Sequence, residues 1–110
     1  MKPTASEAEI QRQLIAYLRL IGGHVVRVNS GAAKVGKRLI RFTDTPGTPD
    51  ILCCLQGRFV GIECKRPGGK LRPSQGEQID AIRRAGGLAF VADGLDTLRA
   101  ALRLEGFEVA

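Results

Sequence analysis

"ILCCLQGRFVGIECK", residues 51–65, is the stretch that decides the fold of this protein. Two runs rich in apolar residues flank the dipeptide Gln56-Gly57, which predicts two strands joined by a tight turn. If the dipeptide is a two-residue turn, counting outward along the strands places Asp50 directly opposite Glu63. A four-residue loop centred on the same dipeptide keeps this register, whereas a three-residue loop with a bulge shifts it.

The side chains of the two predicted strands alternate between two faces of the hairpin. One face is apolar and suits a protein core; it carries Ile51, Cys53, Leu55, Val60, Ile62 and Cys64. The other face mixes apolar and charged residues; it carries Asp50, Leu52, Cys54, Phe59, Gly61, Glu63 and Lys65. Three charged residues therefore share one face.

The opposed carboxylates of Asp50 and Glu63 need an explanation. Residues directly opposite each other in an antiparallel pair have Cβ atoms roughly 4.5–5.5 Å apart, and like charges there are destabilising. At about 5 Å and an effective dielectric constant of ~20, the repulsion is on the order of 3 kcal/mol. Exposure to solvent, neutralisation by Lys65 or a bound divalent cation would each offset it. Taken singly, each of the three charges is also explained as an ordinary strand-end or surface residue.

Outside this hairpin, hydrophobic periodicity predicts three helices and three further strands. The helices are residues 6–21, 74–85 and 93–105, and the strands are residues 24–29, 38–42 and 88–92. The first two of these strands are predicted to form a hairpin with a long basic loop, and the third to be fully buried. Ser74 with Glu77 predicts a capping box at the start of the second helix. The order is α-β-β-β-β-α-β-α, an α/β fold in a single domain, residues 1–110.

Composition bounds the class of protein. A chain of 110 residues, 44% of them hydrophobic, has the size of one compact domain. Its 17 Lys and Arg against 11 Asp and Glu give a net charge of +6. This excess favours a polyanionic partner such as nucleic acid. Charge alone, however, does not distinguish a protein that binds a polyanion from a basic protein without such a partner.

Cysteine content and hydropathy limit the cellular compartments in which we expect this protein. The three cysteines, Cys53, Cys54 and Cys64, have neither the number nor the spacing of a zinc site or a disulfide framework. We therefore expect reduced, buried thiols. No apolar run approaches the roughly 20 residues of a membrane span, and the N-terminus lacks the apolar segment of a signal peptide. We expect no membrane partner and a cytoplasmic location.

The pattern Pro49-Asp50 followed by Glu63-Cys64-Lys65 resembles the core motif of the PD-(D/E)XK nuclease superfamily. The surrounding sequence resembles its VRR-NUC branch, which includes small stand-alone phage and bacterial nucleases. The resembling stretches, in the family's order, are residues 6–11, 27–31, 47–50, 57–65 and 71–75. The resemblance implies a restriction-endonuclease-like core, in which helices flank a mixed central sheet.

The resemblance also implies roles for the charged residues of the hairpin. Asp50 and Glu63 would be ligands of Mg²⁺ or Mn²⁺, with the backbone carbonyl of Cys64 as a further ligand. Lys65 would be the catalytic lysine, which positions the attacking water or stabilises negative charge on the phosphate.

Two further catalytic residues are implied by the resemblance. A glutamine at the start of the helix after the Glu-x-Lys strand corresponds to Gln75, with Gln78 as a rival. A glutamate on the first helix corresponds to Glu7 or Glu9. At ~100° per residue Glu7 falls inside the apolar stripe of that helix and Glu9 off its centre, so Glu7 is favoured. Each glutamate is also explained as a capping-box residue, since a Ser or Thr lies three residues before it.

Basic and polar residues around these positions would contact DNA phosphates without reading sequence. They are Lys34, Lys37, Arg38 and Arg41 near the basic loop, Arg66, Lys70 and Arg72 beyond the Glu-x-Lys strand, and Arg27 with Asn29 at a strand end. Each is equally well explained as a solvated or structural residue.

Together these features predict a Mg²⁺- or Mn²⁺-dependent DNA endonuclease of a bacterial or phage-infected cell. Because no recognition helix or aromatic stacking platform is evident, we expect recognition of DNA shape. The small size and the resemblance favour a homodimer that cuts branched DNA, such as a Holliday junction. The alternatives are a flap- or end-specific nuclease, a restriction-like enzyme, and a DNA-binding module without cleavage. The opposed carboxylates argue against the last, because a pure binder gains nothing from them near phosphates.

Overall fold

The computed structural model describes residues 5–28, 32–41 and 45–109. In chain order the elements are α1 (Glu7–Leu20), β1 (His24–Arg27), β2 (Ala32–Val35), β3 (Arg38–Arg41), β4 (Ile51–Leu55), β5 (Arg58–Cys64), α2 (Pro73–Arg84), β6 (Leu88–Ala92) and α3 (Leu95–Leu104). The predicted class, a mixed central sheet flanked by helices, is confirmed. The order contains one strand more than predicted, because residues 32–35 of the predicted basic loop form β2. In the described part of the chain, no helix is long and apolar enough to cross a membrane.

The central sheet has four strands in the order β1-β4-β5-β6. β4 and β5 pair antiparallel with Leu55 opposite Arg58 and Ile51 opposite Ile62, which confirms the predicted register. The turn residues Gln56 and Gly57 have φ values of 50° and 77°, as a two-residue hairpin turn of type I′ requires. β6 runs parallel to β5, so the sheet is mixed.

The first predicted hairpin is wrong. β1 pairs antiparallel with β4 at the edge of the central sheet, and not with residues 38–42. β3 instead pairs with β2 in a separate two-stranded sheet. The reason is local: Gly36, with a φ of 62°, permits a tight turn inside the predicted loop. Closing a turn this short costs less conformational entropy than closing the longer loop.

The core lies between one face of the central sheet and the helices α1 and α3. The hairpin face that was predicted to be apolar is buried throughout; Ile51, Cys53, Leu55, Val60, Ile62 and Cys64 are at most 2% exposed. The helices pack on it with Ile10, Leu14, Ile15, Leu18, Leu98 and Leu102. The alternation of side chains along β4 and β5 therefore separates a buried core face from the face that carries the charges.

α2 packs on the other face of the sheet, over β5 and β6. A Cβ at Gly61 would lie 3.1 Å from Ile82 of α2 and 3.1 Å from Pro49, so helix and chain meet closely over this glycine. In the described part of the chain, α2 is the one helix on this face, and it leaves β1 and β4 uncovered there.

Two predictions about burial need correction. Residues 88–92 form the predicted strand, but β6 is an edge of the sheet and Val91 is 37% exposed. Cys53 and Cys64 are buried free thiols, whereas Cys54 is exposed. It is exposed because it lies on the sheet face that α2 leaves uncovered.

Candidate functional site

Asp50 and Glu63 meet at the end of the β4–β5 hairpin, on the face opposite to the core. Asp50 precedes Ile51 and Glu63 follows Ile62, the last pair of the β4–β5 ladder, so the two residues are the next along each strand. The backbone N–H of Cys64 donates a hydrogen bond to Oδ2 of Asp50 across 2.9 Å. This bond holds the carboxylate of Asp50 against β5, close enough for its charge to act on Glu63.

Glu63 is buried, with 2% of its surface exposed. Burial, and then the charge of Asp50, raises the pKa of Glu63 from its ordinary value of 4.5 to about 8, although the charge of Lys65 acts in the opposite direction. Its Oε2 atom is buried without a hydrogen-bond partner among the described residues, and a proton on Glu63 would be shared with Asp50, which also raises the pKa. Solvent exposure therefore does not offset the repulsion between the carboxylates. Lys65, a bound cation or a proton on Glu63 must therefore offset this repulsion. Of these three, only the proton was not predicted from the sequence.

Gln75 reaches Glu63 from the start of α2. Its Nε2 donates to Oε1 of Glu63 across 3.0 Å, and its Oε1 accepts from the backbone N–H of Arg72 across 2.8 Å. Both ends of the amide are thereby fixed. In the described part of the chain, the rival Gln78 makes no hydrogen bond to either carboxylate.

The capping box predicted from Ser74 and Glu77 is wrong. α2 begins at Pro73, because proline suits the first helical position, where no N–H is needed. Gln75 is then the third helical residue and caps the helix through the N–H of Arg72. The side chain that caps the helix is thus the same one that reaches the carboxylates.

The turn before Asp50 packs directly on the start of α2. Gly47 has a φ of 86°, and a Cβ at this position would lie 2.2 Å from the carbonyl oxygen of Ser74. Both observations require glycine. The contact joins the segment that precedes Asp50 to the helix that carries Gln75. In the sequence, the only indication of this contact is the glycine itself.

Lys65 follows β5 and lies on the same side as the two carboxylates. Its backbone N–H donates to the carbonyl of Ala92 across 3.1 Å, which extends the pairing of β5 with β6. Its side chain is buried, at 8% exposure, and its charge lowers the pKa of Glu63. The structure therefore brings Asp50, Glu63, Lys65 and Gln75 together.

Glu7 lies nearer to this cluster than Glu9. The charge of Glu7 contributes to the raised pKa of Glu63 and of Cys64, whereas Glu9 contributes to neither. The backbone N–H of Glu9 donates to Oγ of Ser6 across 3.1 Å, so Glu9 belongs to the helix cap. Glu7 is exposed, and not buried on the apolar stripe as predicted, because it is the first residue of α1.

The predicted DNA contacts do not form one group. Exposed residues beyond Lys65, in the segment between β5 and α2, are Arg66, Lys70 and Arg72. Exposed residues on the β2–β3 hairpin, away from the central sheet, are Lys34, Lys37 and Arg38, and this hairpin ends at Arg41. Only the first group, which follows Lys65, is close to the carboxylates in the sequence.

Arg27 is not brought to the cluster. It pairs with Ile51 and so lies on the core side of the sheet, where its Nε donates to Oε1 of Gln11 across 3.1 Å. Arg27 is therefore held by a structural contact to α1. Asn29 lies outside the described residues, as does Thr4, the alternative cap for Glu7.

Asp50 and Glu63 fit a divalent cation. Mg²⁺ typically takes one or two carboxylates and completes its shell with waters and phosphate oxygens. The orphaned Oε2 of Glu63 is an acceptor that such an ion would satisfy. In the described part of the chain, no group of three or more His, Cys, Asp or Glu side chains is arranged to hold a metal, so an ion here would depend on the two carboxylates.

No protein-family model matches the sequence, and no curated protein matches it. Solved structures do match. A VRR_NUC domain superposes with a TM-score of 0.68 and 21% sequence identity, over 94% of this chain and 100% of that chain. Hjc of Archaeoglobus fulgidus, a Holliday junction resolvase, superposes with a TM-score of 0.53 and 25% identity, over 77% of this chain and 65% of that one. The predicted resemblance to the VRR-NUC branch of the PD-(D/E)XK superfamily is thus confirmed as a shared fold.

Proposed function

We propose that this protein is a divalent-metal-dependent DNA endonuclease. The observation that carries the proposal is the carboxylate pair of half-buried Asp50 and buried Glu63, with one orphaned oxygen, beside the buried cation Lys65. A structural ion pair would not leave a buried acceptor unsatisfied, since such an atom destabilises the fold. The fold shared with a VRR_NUC domain and with Hjc supports the same conclusion.

The carboxylates of Asp50 and Glu63 would hold Mg²⁺ or Mn²⁺, with the backbone carbonyl of Cys64 as a further ligand. When bound, the ion would polarise the scissile phosphate and lower the pKa of a water molecule. The N–H of Cys64 orients Asp50, and Gln75 orients Glu63. Each of these two hydrogen bonds occupies one oxygen of a carboxylate. The other oxygen of each carboxylate would then be available to the metal ion.

Lys65 would position the attacking water or stabilise the charge that develops on the phosphate. Its burial removes it from competing solvent, which strengthens its electrostatic interaction with a phosphate. Glu7, exposed at the rim of the cluster, would act on the same centre through water. The exposed cations Arg66, Lys70 and Arg72 would bind neighbouring phosphates, as would those of the β2–β3 hairpin.

We propose branched DNA as the substrate and a homodimer as the active form, in the cytoplasm of a bacterial or phage-infected cell. The likeness to Hjc, a Holliday junction resolvase with 25% identical residues, favours a four-way junction over a flap. A chain of 110 residues covers little DNA, so two copies would be needed to reach two strands of a junction.

Cleavage of labelled four-way junction, flap and linear duplex DNA, with Mg²⁺ or Mn²⁺, tests the proposal. We expect the wild type to cut the junction, and Lys65→Ala and Asp50→Asn to lose at least about a hundredfold in rate, within the range that one catalytic group supplies. Arg84→Ala and Asp80→Asn, matched changes of exposed residues on α2, should cut normally. A wild type that binds all three DNAs and cuts none is a binding module and not an enzyme. Cleavage of flaps but not of junctions overturns only the choice of substrate.

A further inference from the structure

A small cavity lies between α1 and β1, and its volume is about 140 Å³. Its walls come from two elements that are separate in the sequence. The lining residues are Ala8, Gln11, Arg12 and Ile15 of α1 and Arg27 of β1. Two of these five side chains are cationic and none is acidic. We call this feature the arginine cavity.

The spacing of the four helical residues explains why they line one cavity. Residues 8, 11, 12 and 15 are three, one and three positions apart, so they share one face of α1. Ile15 belongs to the hydrophobic core and gives the cavity an apolar wall. Ala8 has only a methyl group, and a longer side chain at this position would occupy part of the space. The cavity therefore depends on the small residue as well as on the two arginines.

Arg27 is fixed at the cavity by one hydrogen bond. Its Nε donates to Oε1 of Gln11 across 3.1 Å. This bond uses one of the five N–H donors of a guanidinium group. In the part of the chain that the structure describes, Nη1 and Nη2 of Arg27 have no partner. The contact that ties β1 to α1 therefore orients Arg27 and leaves four donors for a ligand.

The positive charge of the arginine cavity is not neutralised by a neighbouring carboxylate. Within residues 5–28, 32–41 and 45–109, neither Arg12 nor Arg27 forms an ion pair, not even Arg12 with Glu9 three residues earlier on the helix. Two like charges at one small cavity repel each other, and an anion between them would remove the repulsion.

Phosphate is the anion that the cavity fits best. The planar fork of a guanidinium group matches the oxygens of a phosphate through paired N–H donors. The cavity is also well below the ~300 Å³ of the smallest pockets for drug-sized molecules, so it suits one phosphate group and not a whole nucleotide.

The arginine cavity adjoins the proposed catalytic centre. Arg27 is the last residue of β1 and pairs with Ile51, the residue after Asp50. Directly opposed residues of an antiparallel pair lie about 5 Å apart. On α1, Ala8 follows Glu7, whose charge acts on the carboxylate cluster. A phosphate in the cavity and another at the carboxylates would therefore be near enough to belong to one DNA strand.

We propose that Arg12 and Arg27 form a subsite for a backbone phosphate of the DNA strand, beside the phosphate that is cut. This rests on the proposed function and adds to it a binding site of defined position. The cations beyond Lys65 and on the β2–β3 hairpin are exposed side chains, whereas this pair shares a shaped cavity. A phosphate held there fixes where the strand lies relative to the carboxylates, without reading its sequence.

DNA binding without metal tests the subsite, with labelled four-way junction and linear duplex in EDTA. We expect Arg12→Ala and Arg27→Ala each to weaken binding of both DNAs at least about tenfold. Ala8→Leu keeps both arginines and the hydrogen bond to Gln11 but fills the cavity, so it should weaken binding as much. Arg19→Ala, a change of an exposed arginine at the other end of α1, is the matched control and should bind normally. Normal binding by Arg12→Ala or by Ala8→Leu would overturn the subsite.

The salt dependence of binding shows whether the two arginines share one phosphate. The logarithm of the binding constant falls with the logarithm of the salt concentration, with a slope of about 0.9 for each neutralised phosphate. The double variant Arg12→Ala/Arg27→Ala should therefore reduce the slope by about 0.9. A reduction of about 1.8 would mean that each arginine binds its own phosphate, and would overturn the shared subsite.

A neutral methylphosphonate linkage, moved one position at a time along one strand, locates the phosphate. At one position it should weaken binding of the wild type about as much as Arg27→Ala does, and it should have no further effect on Arg27→Ala. Independent effects at every position would contradict the proposal.

Inorganic phosphate tests the other source of the same ligand chemistry, a free anion. If it raises the melting temperature of the wild type but not of Arg12→Ala, while both bind DNA equally, the cavity serves a small anion and the DNA subsite is wrong.

Failure of the subsite is distinguishable from failure of the proposed function. Arg12→Ala and Ala8→Leu remove no hydrogen bond in the described part of the chain, so an unchanged melting temperature separates lost binding from lost folding. Binding is measured without metal, so a protein that cuts no DNA can still show the subsite. A wild type that cuts junctions while Arg12→Ala binds them normally keeps the nuclease proposal and overturns the subsite.

Discussion

Gln75 donates a hydrogen bond from Nε2 to Oε1 of Glu63 across 3.0 Å, which ties the start of α2 to the charged end of the central sheet. The bond satisfies one carboxylate oxygen and leaves the other, Oε2, buried and without a partner. Gln75 thereby fixes the orientation of the Glu63 carboxyl group.

Gln75→Ala should therefore weaken both the fold and the site. The change removes a donor from a buried carboxyl group, and we expect a loss of about 1–3 kcal/mol in the free energy of unfolding. Urea denaturation and the apparent affinity for Mg²⁺, followed by melting temperature, measure the two effects. Gln78→Ala, three residues along the same helix, is the matched control and should change neither. Equal effects of the two variants would contradict this role of Gln75.

The raised pKa of Glu63 predicts how stability changes with pH in the metal-free protein. Between about pH 4.5 and 8 the folded state keeps a proton on Glu63 that the unfolded state releases. The folded state is therefore favoured at low pH, and this contribution is lost as the pH rises through about 8.

In EDTA, we expect the melting temperature to fall by more than about 5 °C between pH 5 and 9. Glu63→Gln should flatten this profile, while Glu77→Gln, a change of an exposed carboxylate, should preserve it. A wild-type profile that Glu63→Gln leaves unchanged would show that another group is responsible.

Addition of Mg²⁺ should stabilise the wild type. An ion that binds only the folded state contributes about 2.7 kcal/mol at a concentration one hundred times its dissociation constant. If Asp50 is one of the two carboxylate ligands as proposed, Asp50→Asn should lose most of the increase in melting temperature, and Asp80→Asn should retain it. The assignment of Asp50 as a ligand fails if both variants respond to Mg²⁺ as the wild type does.

Gly47→Ala should strongly destabilise the protein. A Cβ would lie 2.2 Å from the carbonyl oxygen of Ser74, and the φ of 86° is unfavourable for alanine. We expect a loss of more than about 3 kcal/mol, as for other changes that force the backbone to move. Gly36→Ala, at a φ of 62° with open space around it, should lose only about 1–2 kcal/mol. Similar losses in urea denaturation would mean that the contact with Ser74 is unimportant.

The sequence by itself determined those features that depend on neighbours in the chain. The register of β4 and β5 follows from the turn at Gln56-Gly57 and from the alternation of side chains, both of which are local. These two facts suffice to place Asp50 opposite Glu63 and to separate them from the core face. The α/β class follows in the same way from the periodicity of each segment.

Only the tertiary structure decided the features that join distant segments. That β1 pairs with β4, that Gln75 meets Glu63, and that Gly47 rests on Ser74 are contacts between parts of the chain whose local patterns carry no information about each other. The burial of Glu63 belongs to this group, because it arises from the packing of α2 over β5 and not from the residues next to it. The sequence thus determined which charged residues share a face, and the packing of the helices determined that their surroundings favour a bound cation or a proton over water.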